Sequence, residues 1–208
     1  MLEVRSDKAI IVGVVSDTHV PDRVKTLHPD LLGELKERGV HYIFHAGDVS
    51  TPGVLQELEA VAPVYAVSGN RDWFLRRSLP MHRLFHVNGV ITLLTHGHID
   101  AVHYWRDKVS NFINGYQFER YANRFSPLVP QAKLYIYGHS HHAENRWQEG
   151  KLFFNPGSCS IAEKPDFSIS FGIIHFHPDG DFSGEIIELK EPVIRVGKRV
   201  QGDSDSTR

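Results

Sequence analysis

Seven apolar or small residues, Ala9 to Val15, run without alternation and stop at Ser16-Asp17-Thr18-His19. A β-branched run of this kind reads as a strand covered on both faces, so the chain must build a sheet with a layer above it and a layer below. Open α/β sheets place their chemistry just beyond the carboxyl ends of such strands. Asp17 and His19 stand there, two residues apart. A bent loop can aim their oxygen and imidazole nitrogen at one point, which suits a divalent metal. One Asp-x-His is explained as well by a turn or a helix cap. Repetition gives this one weight, because four later apolar runs end in the same way.

The pattern repeats along the chain. Pro29 and Asp30 open a helix with Leu31, Leu32 and Leu35 on one face and Gly39 as its stop. Val40 to His45 is a second strand, ending in Ala46-Gly47-Asp48. Thr51 caps and Pro52 begins a second helix. Val64 to Val67 is a third strand, ending in Ser68-Gly69-Asn70-Arg71-Asp72. The order β-α-β-α-β predicts parallel strands with right-handed crossovers. Arg83 to Val87 and Val90 to Thr95 flank Asn88-Gly89, the signature of a hairpin with a type I′ turn, and the second strand ends in His96-Gly97-His98.

From Ala101 to Phe125 the chain is rich in aromatic residues, and Val102, Trp105, Val109, Phe112, Ile113 and Tyr116 fit helical spacing. Tyr104, Phe118 and Tyr121 fall off that face, so residues 101–130 read as a helical insertion suited to a lid over the site or a dimer contact. Lys133 to Tyr137 is a further strand, ending in Gly138-His139-Ser140-His141-His142. Two β segments, a tight Asn155-Pro156-Gly157-Ser158 turn and a closing hairpin complete a single domain over 1–190. Residues 1–8 read as a polar lead-in, and 191–208 as a polar tail with a disordered end.

The balance of the composition excludes several classes of function. A formal charge of −2 offers neither a basic stripe for a phosphate backbone nor a polybasic membrane anchor. No apolar run approaches the roughly 20 residues that span a bilayer. The charged N-terminus lacks an apolar signal core, and one cysteine, Cys159, allows no internal disulfide; both lead to a cytoplasmic expectation. The unusual count is fourteen histidines, spread through the chain with no terminal run.

Five apolar strands therefore end in metal-competent residues: Asp17 and His19, Asp48, Asn70 with Asp72, His96 with His98, and His139 with His141. Hard oxygens and imidazoles without thiolate favour Mn, Fe, Zn, Co or Ni. Two carboxylates and several neutral ligands can hold two ions about 3.5–4 Å apart, one carboxylate bridging. Asp72 reads better as a side chain holding a ligand loop than as a ligand. His41, His45, His86, His103, His175 and His177 read as ordinary strand or surface histidines.

In this order the motifs Asp17-Thr18-His19, Gly47-Asp48, Gly69-Asn70-Arg71-Asp72, His96-Gly97-His98 and Gly138-His139-Ser140-His141 resemble those of the calcineurin-like metallophosphoesterases, and among them the small bacterial and archaeal phosphodiesterases. The resemblance covers about residues 9–190. It implies a two-sheet β-sandwich flanked by helices (an α/β, or α+β, fold) with the metal site at the carboxyl ends of the strands. It implies that Asp17, His19 and His141 hold the first of two divalent ions, manganese foremost. Asn70, His96 and His139 would hold the second, and Asp48 would bridge.

The implied activity is hydrolysis of a small phosphodiester, a metal-bridging hydroxide attacking phosphorus in line. Many members carry histidine after the Asn of this motif as the presumed acid, whereas this chain has Arg71. A guanidinium clamps phosphate and keeps its proton, so acidic leaving groups should be favoured. Arg71 and His98 are the residues assigned to catalysis, and Asn70, Arg71 and His98 those assigned to substrate contact; His142 is a further proton source. The alternatives are a phosphomonoesterase or protein phosphatase, and a non-catalytic scaffold such as the retromer subunit with this fold. A homo-oligomer through 101–130 is the expected self-association.

Overall fold

The computed structural model describes residues 2–73, 75, 77–97, 115–162 and 167–190. In chain order the strands are β1 (Leu2–Val4), β2 (Ile10–Val15), β3 (Tyr42–His45), β4 (Val64–Ala66), β5 (His82–Val87), β6 (Val90–Thr95), β7 (Leu134–Ile136), β8 (Glu144–Gln148), β9 (Lys151–Asn155), β10 (Ser170–Phe176) and β11 (Phe182–Glu188). The helices among the described residues are α1 (Leu31–Glu37), α2 (Pro52–Glu59) and α3 (Phe118–Phe125).

Two mixed sheets form. One has the order β11-β10-β2-β3-β4, the other β1-β5-β6-β7-β9-β8. Strands β2, β3 and β4 are mutually parallel, as the alternation of strands and helices requires, and β10 and β11 close that sheet in antiparallel fashion. In the other sheet β6, β7 and β9 are parallel. Five described strand ends that carry polar motifs are therefore the carboxyl ends of parallel strands, three from one sheet and two from the other.

Period-two alternation sorts each strand between two layers. In β2, Val12 and Val14 face the second sheet and pack in a core with Phe44, Phe85, Leu94, Ile136 and Phe154. The Phe44 and Phe85 rings stack at 4.2 Å between centroids. Val15, Ile43 and Ile173 point the other way, onto Leu31 and Leu35 of α1 and Val54 and Leu58 of α2. On the outer face of the second sheet, Leu93, Tyr135, Tyr137 and Phe153 pack against α3. The result is four layers, helix, sheet, sheet, helix, with both faces of the central strands covered. This explains why β2 shows no polar alternation in its sequence.

Local signals held where they depended on near neighbours. Asn88 and Gly89 both take positive φ, 45° and 86°, as a type I′ turn demands. Gly39 ends α1 at φ 62°, and Pro52 is the first residue of α2. Thr51 does occupy the N-cap, but its hydroxyl makes no cap bond, so Pro52 alone marks that start.

Three expectations need correction or fall outside the described residues. Residues 1–8 are not merely a lead-in, because Leu2 to Val4 pair in parallel with Phe85 to Val87. Phe118 and Tyr121 are buried in the core under α3, with Tyr121 stacked on Tyr137 at 5.1 Å, so neither serves as a lid or a dimer contact. The rest of the expected insertion from Ala101 to Ile113, together with Tyr104, His98 and the tail 191–208, lies outside the described residues.

Candidate metal centre

The loops that leave β2, β3, β4, β6 and β7 meet at one edge of the two sheets. Those after β2, β3 and β7 have a strained backbone at their polar residues. Asp17, His19, Asp48, His139 and His141 take left-handed φ values of 54°, 51°, 55°, 69° and 54°. Such values cost non-glycine residues energy and persist only where surrounding contacts fix them. Those contacts are present: the Asp17 N–H donates to the Gly47 carbonyl at 3.0 Å, and the His19 N–H to the Asp48 carbonyl at 3.1 Å. Glycine is needed where loops touch. A Cβ on Gly69 would lie 2.1 Å from Asp48 Oδ1, and one on Gly138 would lie 1.9 Å from Ser16 Oγ.

All seven residues expected as ligands stand together. His19 Nε2 and His141 Nε2 lie 3.1 Å apart, and His141 Nε2 is 3.2 Å from Asp17 Oδ1. Asn70 Oδ1 sits 3.0 Å from His96 Nε2 and 2.9 Å from His139 Nδ1. Asp48 lies between the two trios, with Oδ2 3.9 Å from His19 Nε2 and Oδ1 3.5 Å from His96 Nε2. Among the described residues two groups of carboxylates and histidines have the spacing to hold an ion: Asp17, His19 and His141, and Asp17, Asp48 and His96.

The atoms fit a cation. Asp17 Oδ1 is buried and accepts no hydrogen bond among the described residues. The His96 Nδ1–H donates to the Ala46 carbonyl at 2.7 Å, which leaves the Nε2 lone pair facing Asn70 and Asp48. Acceptors converging on acceptors repel one another unless a positive charge lies between them.

The protonation states agree. Burial pushes His19 down to about 2, Arg23 and Arg71 adding to the effect against the pull of Asp17, so its ring stays neutral and able to ligate. Burial alone would raise Asp17, but His141, His96 and His19 outweigh it and hold the carboxyl well below the usual carboxylate range. Burial raises Asp48 to about 6, with Asp17 and Asp72 adding and His96 opposing. A bound cation would relieve that penalty.

Several further residues support the site. Asp72, expected to hold a loop, does so: Oδ1 accepts the Ser50 N–H and Oδ2 the Gly69 N–H, each at 2.7 Å. His45 is not an ordinary strand histidine. It is buried, its Nδ1 accepts the Gly47 N–H at 3.2 Å, and its Nε2 lies 3.2 Å from Thr18 Oγ1. The Thr18 hydroxyl faces the Asp48 and Val49 carbonyls at 3.3 and 3.2 Å. Ser158 and Ser160 both donate to the Asp17 carbonyl, at 3.0 and 2.9 Å. The Asn155 amide donates to the Gly138 carbonyl at 3.0 Å and to Ser140 Oγ at 2.9 Å. The turn after β9 thus buttresses both ends of the site.

Fold and site together define a class: a double-sheet α/β protein with a buried Asp–His–Asn cluster at its strand ends, compatible with divalent metals. The calcineurin-like phosphoesterase superfamily domain matches residues 10–179, and the chain belongs to that family. A probable metallophosphoesterase of Methanothermobacter thermautotrophicus is 32% identical over 187 residues, covering 89% of this chain and 96% of its own. One from Methanocaldococcus jannaschii is 29% identical over 160 residues, covering 77% of this chain and 73% of its own. Among solved structures, Vacuolar Protein Sorting 29 from Cryptosporidium parvum superposes with a TM-score of 0.66 at 20% identity, over 89% of this chain and 100% of the other. An archaeal phosphodiesterase superposes with a TM-score of 0.54 at 18% identity, over 86% and 100%. At these identities the structural likeness establishes the fold.

Proposed function

We propose that the protein hydrolyses small phosphodiesters using two divalent ions, manganese foremost, held by the Asp–His–Asn cluster. Asp17, His19 and His141 hold the first ion, Asn70, His96 and His139 the second, and Asp48 both. The observation that carries this reading is the position of Asp48, whose two oxygens face the two trios separately. When bound, such ions acidify water for attack on phosphorus at neutral pH and offset charge on the phosphoryl oxygens.

The chain's own residues do the rest. The Arg71 N–H donates to Asp48 Oδ1 at 2.8 Å, which sets its side chain beside the cluster. The guanidinium grips phosphoryl oxygens and keeps its proton. Asn70 contributes its amide on the same turn, and His98, two residues past His96, is assigned to substrate contact. Gly69 and Gly138 let the loops close tightly enough to exclude bulk water from Asp17, which strengthens every charge interaction there. We place the protein in the cytoplasm, where the free, buried Cys159 is at home. Among the described residues no helix is long and apolar enough to cross a membrane.

A scaffold reading has one observation in its favour, the likeness of this fold to several Vps29 structures. Metal binding does not separate the two readings, because one Vps29 from Entamoeba histolytica is described as complexed with Zn2+. Turnover does. Chelator-stripped protein is given Mn, Ni, Co, Zn or Mg and assayed on an aryl phosphodiester and the matching monoester, with Asp48→Asn as control. Metal-restored diester cleavage that vanishes in the variant is the expected result. Two bound ions with no cleavage of either ester would move the weight to the scaffold.

A further inference from the structure

Arg71 is anchored at both ends. Its backbone donates to Asp48, and its guanidinium Nη1 forms an ion pair with Asp22 Oδ2. Asp22 lies three residues beyond His19, in a turn closed by the Arg23 N–H on the His19 carbonyl at 2.8 Å. The pair therefore ties the loop after β2 to the loop after β4 at the mouth of the cluster. Both side chains stay partly exposed, 37% for Arg71 and 40% for Asp22. Nε and Nη2 of Arg71 make no hydrogen bond or ion pair among the described residues. One edge of the guanidinium is thus fixed, and the other carries open donors.

We propose that Asp22 makes the site select monoanionic phosphodiesters over dianionic phosphomonoesters. This inference rests on the phosphoesterase reading of the same site. A phosphoryl group gripped by the open edge of Arg71 lies one guanidinium away from the Asp22 carboxylate. A diester carries one negative charge there, whereas a monoester, with a second pKa of about 6, carries nearly two at neutral pH. The repulsion scales with that charge. At about 5 Å, one extra unit charge is worth a few-fold in affinity in water and over a hundredfold at a protein-like dielectric. A partly exposed pair belongs between those limits, which gives a preference of about tenfold. Asp22 also takes one of the donors of Arg71 without blocking the pair of donors that a phosphoryl group needs.

The test reads binding without turnover. Phenylphosphonate supplies the dianion near pH 8 and methyl(phenyl)phosphinate the monoanion, and neither carries an ester bond to cleave. Each is titrated calorimetrically into manganese-loaded protein. Asp22→Asn keeps a side-chain oxygen for Arg71 and removes the charge, and Asp22→Glu keeps the charge. The ratio of phosphinate to phosphonate affinity is expected to fall about tenfold in Asp22→Asn and to be retained in Asp22→Glu. A purely structural Asp22 would weaken both ligands together and leave the ratio alone. A ratio unchanged within twofold in Asp22→Asn overturns the proposal, and so does failure of either ligand to bind. Aryl diester hydrolysis by the same samples reads the phosphodiesterase assignment separately. Cleavage with an unmoved ratio rejects only the role of Asp22, and a moved ratio without cleavage rejects only the catalysis.

Discussion

Replacing Asp72 by alanine costs about 3–5 kcal/mol of stability and weakens metal binding, although Asp72 is not itself in either metal-spaced group. Its carboxylate is 1% exposed and accepts two backbone N–H groups at 2.7 Å, from Ser50 and Gly69. Hydrogen bonds to a charged acceptor are worth about 1.5–3 kcal/mol each, and alanine leaves two N–H donors without their acceptor. One effect opposes this loss. Asp72 pushes Asp48 upward, so removing it relieves some repulsion between carboxylates. That contribution is the last and smallest of the five acting on Asp48, so the lost hydrogen bonds win. Asp72→Asn keeps one carbonyl acceptor and turns an NH2 toward the other donor, so it falls between, at about 2 kcal/mol.

The same bonds position Asn70. Gly69 would bring a Cβ to 2.1 Å from Asp48, so the turn has no slack and any drift moves Asn70 away from His96 and His139. Urea unfolding of the metal-free protein reads the stability, and calorimetric titration with manganese reads the site. The expected pattern is a lower midpoint at unchanged slope, with affinity lost at one of two manganese sites. A loss under about 1 kcal/mol in Asp72→Ala, or two sites of wild-type affinity, would refute this account of how the loop is held.

Two other outcomes follow from the same geometry. Arg71 does not give up a proton, so leaving groups of low pKa should react at least about a hundredfold faster than alkyl ones in a diester series, and Arg71→His should flatten that dependence; equal turnover of aryl and alkyl diesters sinks this role for Arg71. The metal-free protein should gain stability as pH rises between about 4 and 6. In that window unfolding takes up protons on His19 and His45, whose folded values are lowered from 6.5 to about 2 and about 4, and releases one from Asp48, raised to about 6. The net uptake of about one proton gives a slope near 1.4 kcal/mol per pH unit, and urea midpoints that stay flat or fall with pH across it would contradict these burial-driven shifts.

Much of the architecture was legible because it depends on neighbours in the chain. The unalternating run of β2 required layers on both sides, and α1, α2 and the second sheet supply them. Asn88-Gly89 specified its turn, because few residues other than these adopt two successive positive φ values. The order of strands and helices placed polar loops at the carboxyl ends of parallel strands, and the resemblance to the metallophosphoesterases then named the seven clustered side chains.

The sequence by itself thus determined the layering, the hairpin, and which loops would carry polar side chains to one edge. Tertiary structure decided the rest, because those contacts join residues far apart in the chain. Leu2 to Val4 are a strand only because the edge of β5 offers them a partner. Phe118 and Tyr121 looked free on a helical wheel, yet the outer face of the second sheet buries them. His45 reads as any strand histidine until Thr18, 27 residues away, comes to its ring. Ser158 and Ser160 grip the Asp17 carbonyl across 141 and 143 residues, and Asp22 meets Arg71 across 49. Periodicity and turn chemistry act over a few residues. The pairing of polar groups is set by which loops the packed sheets bring together.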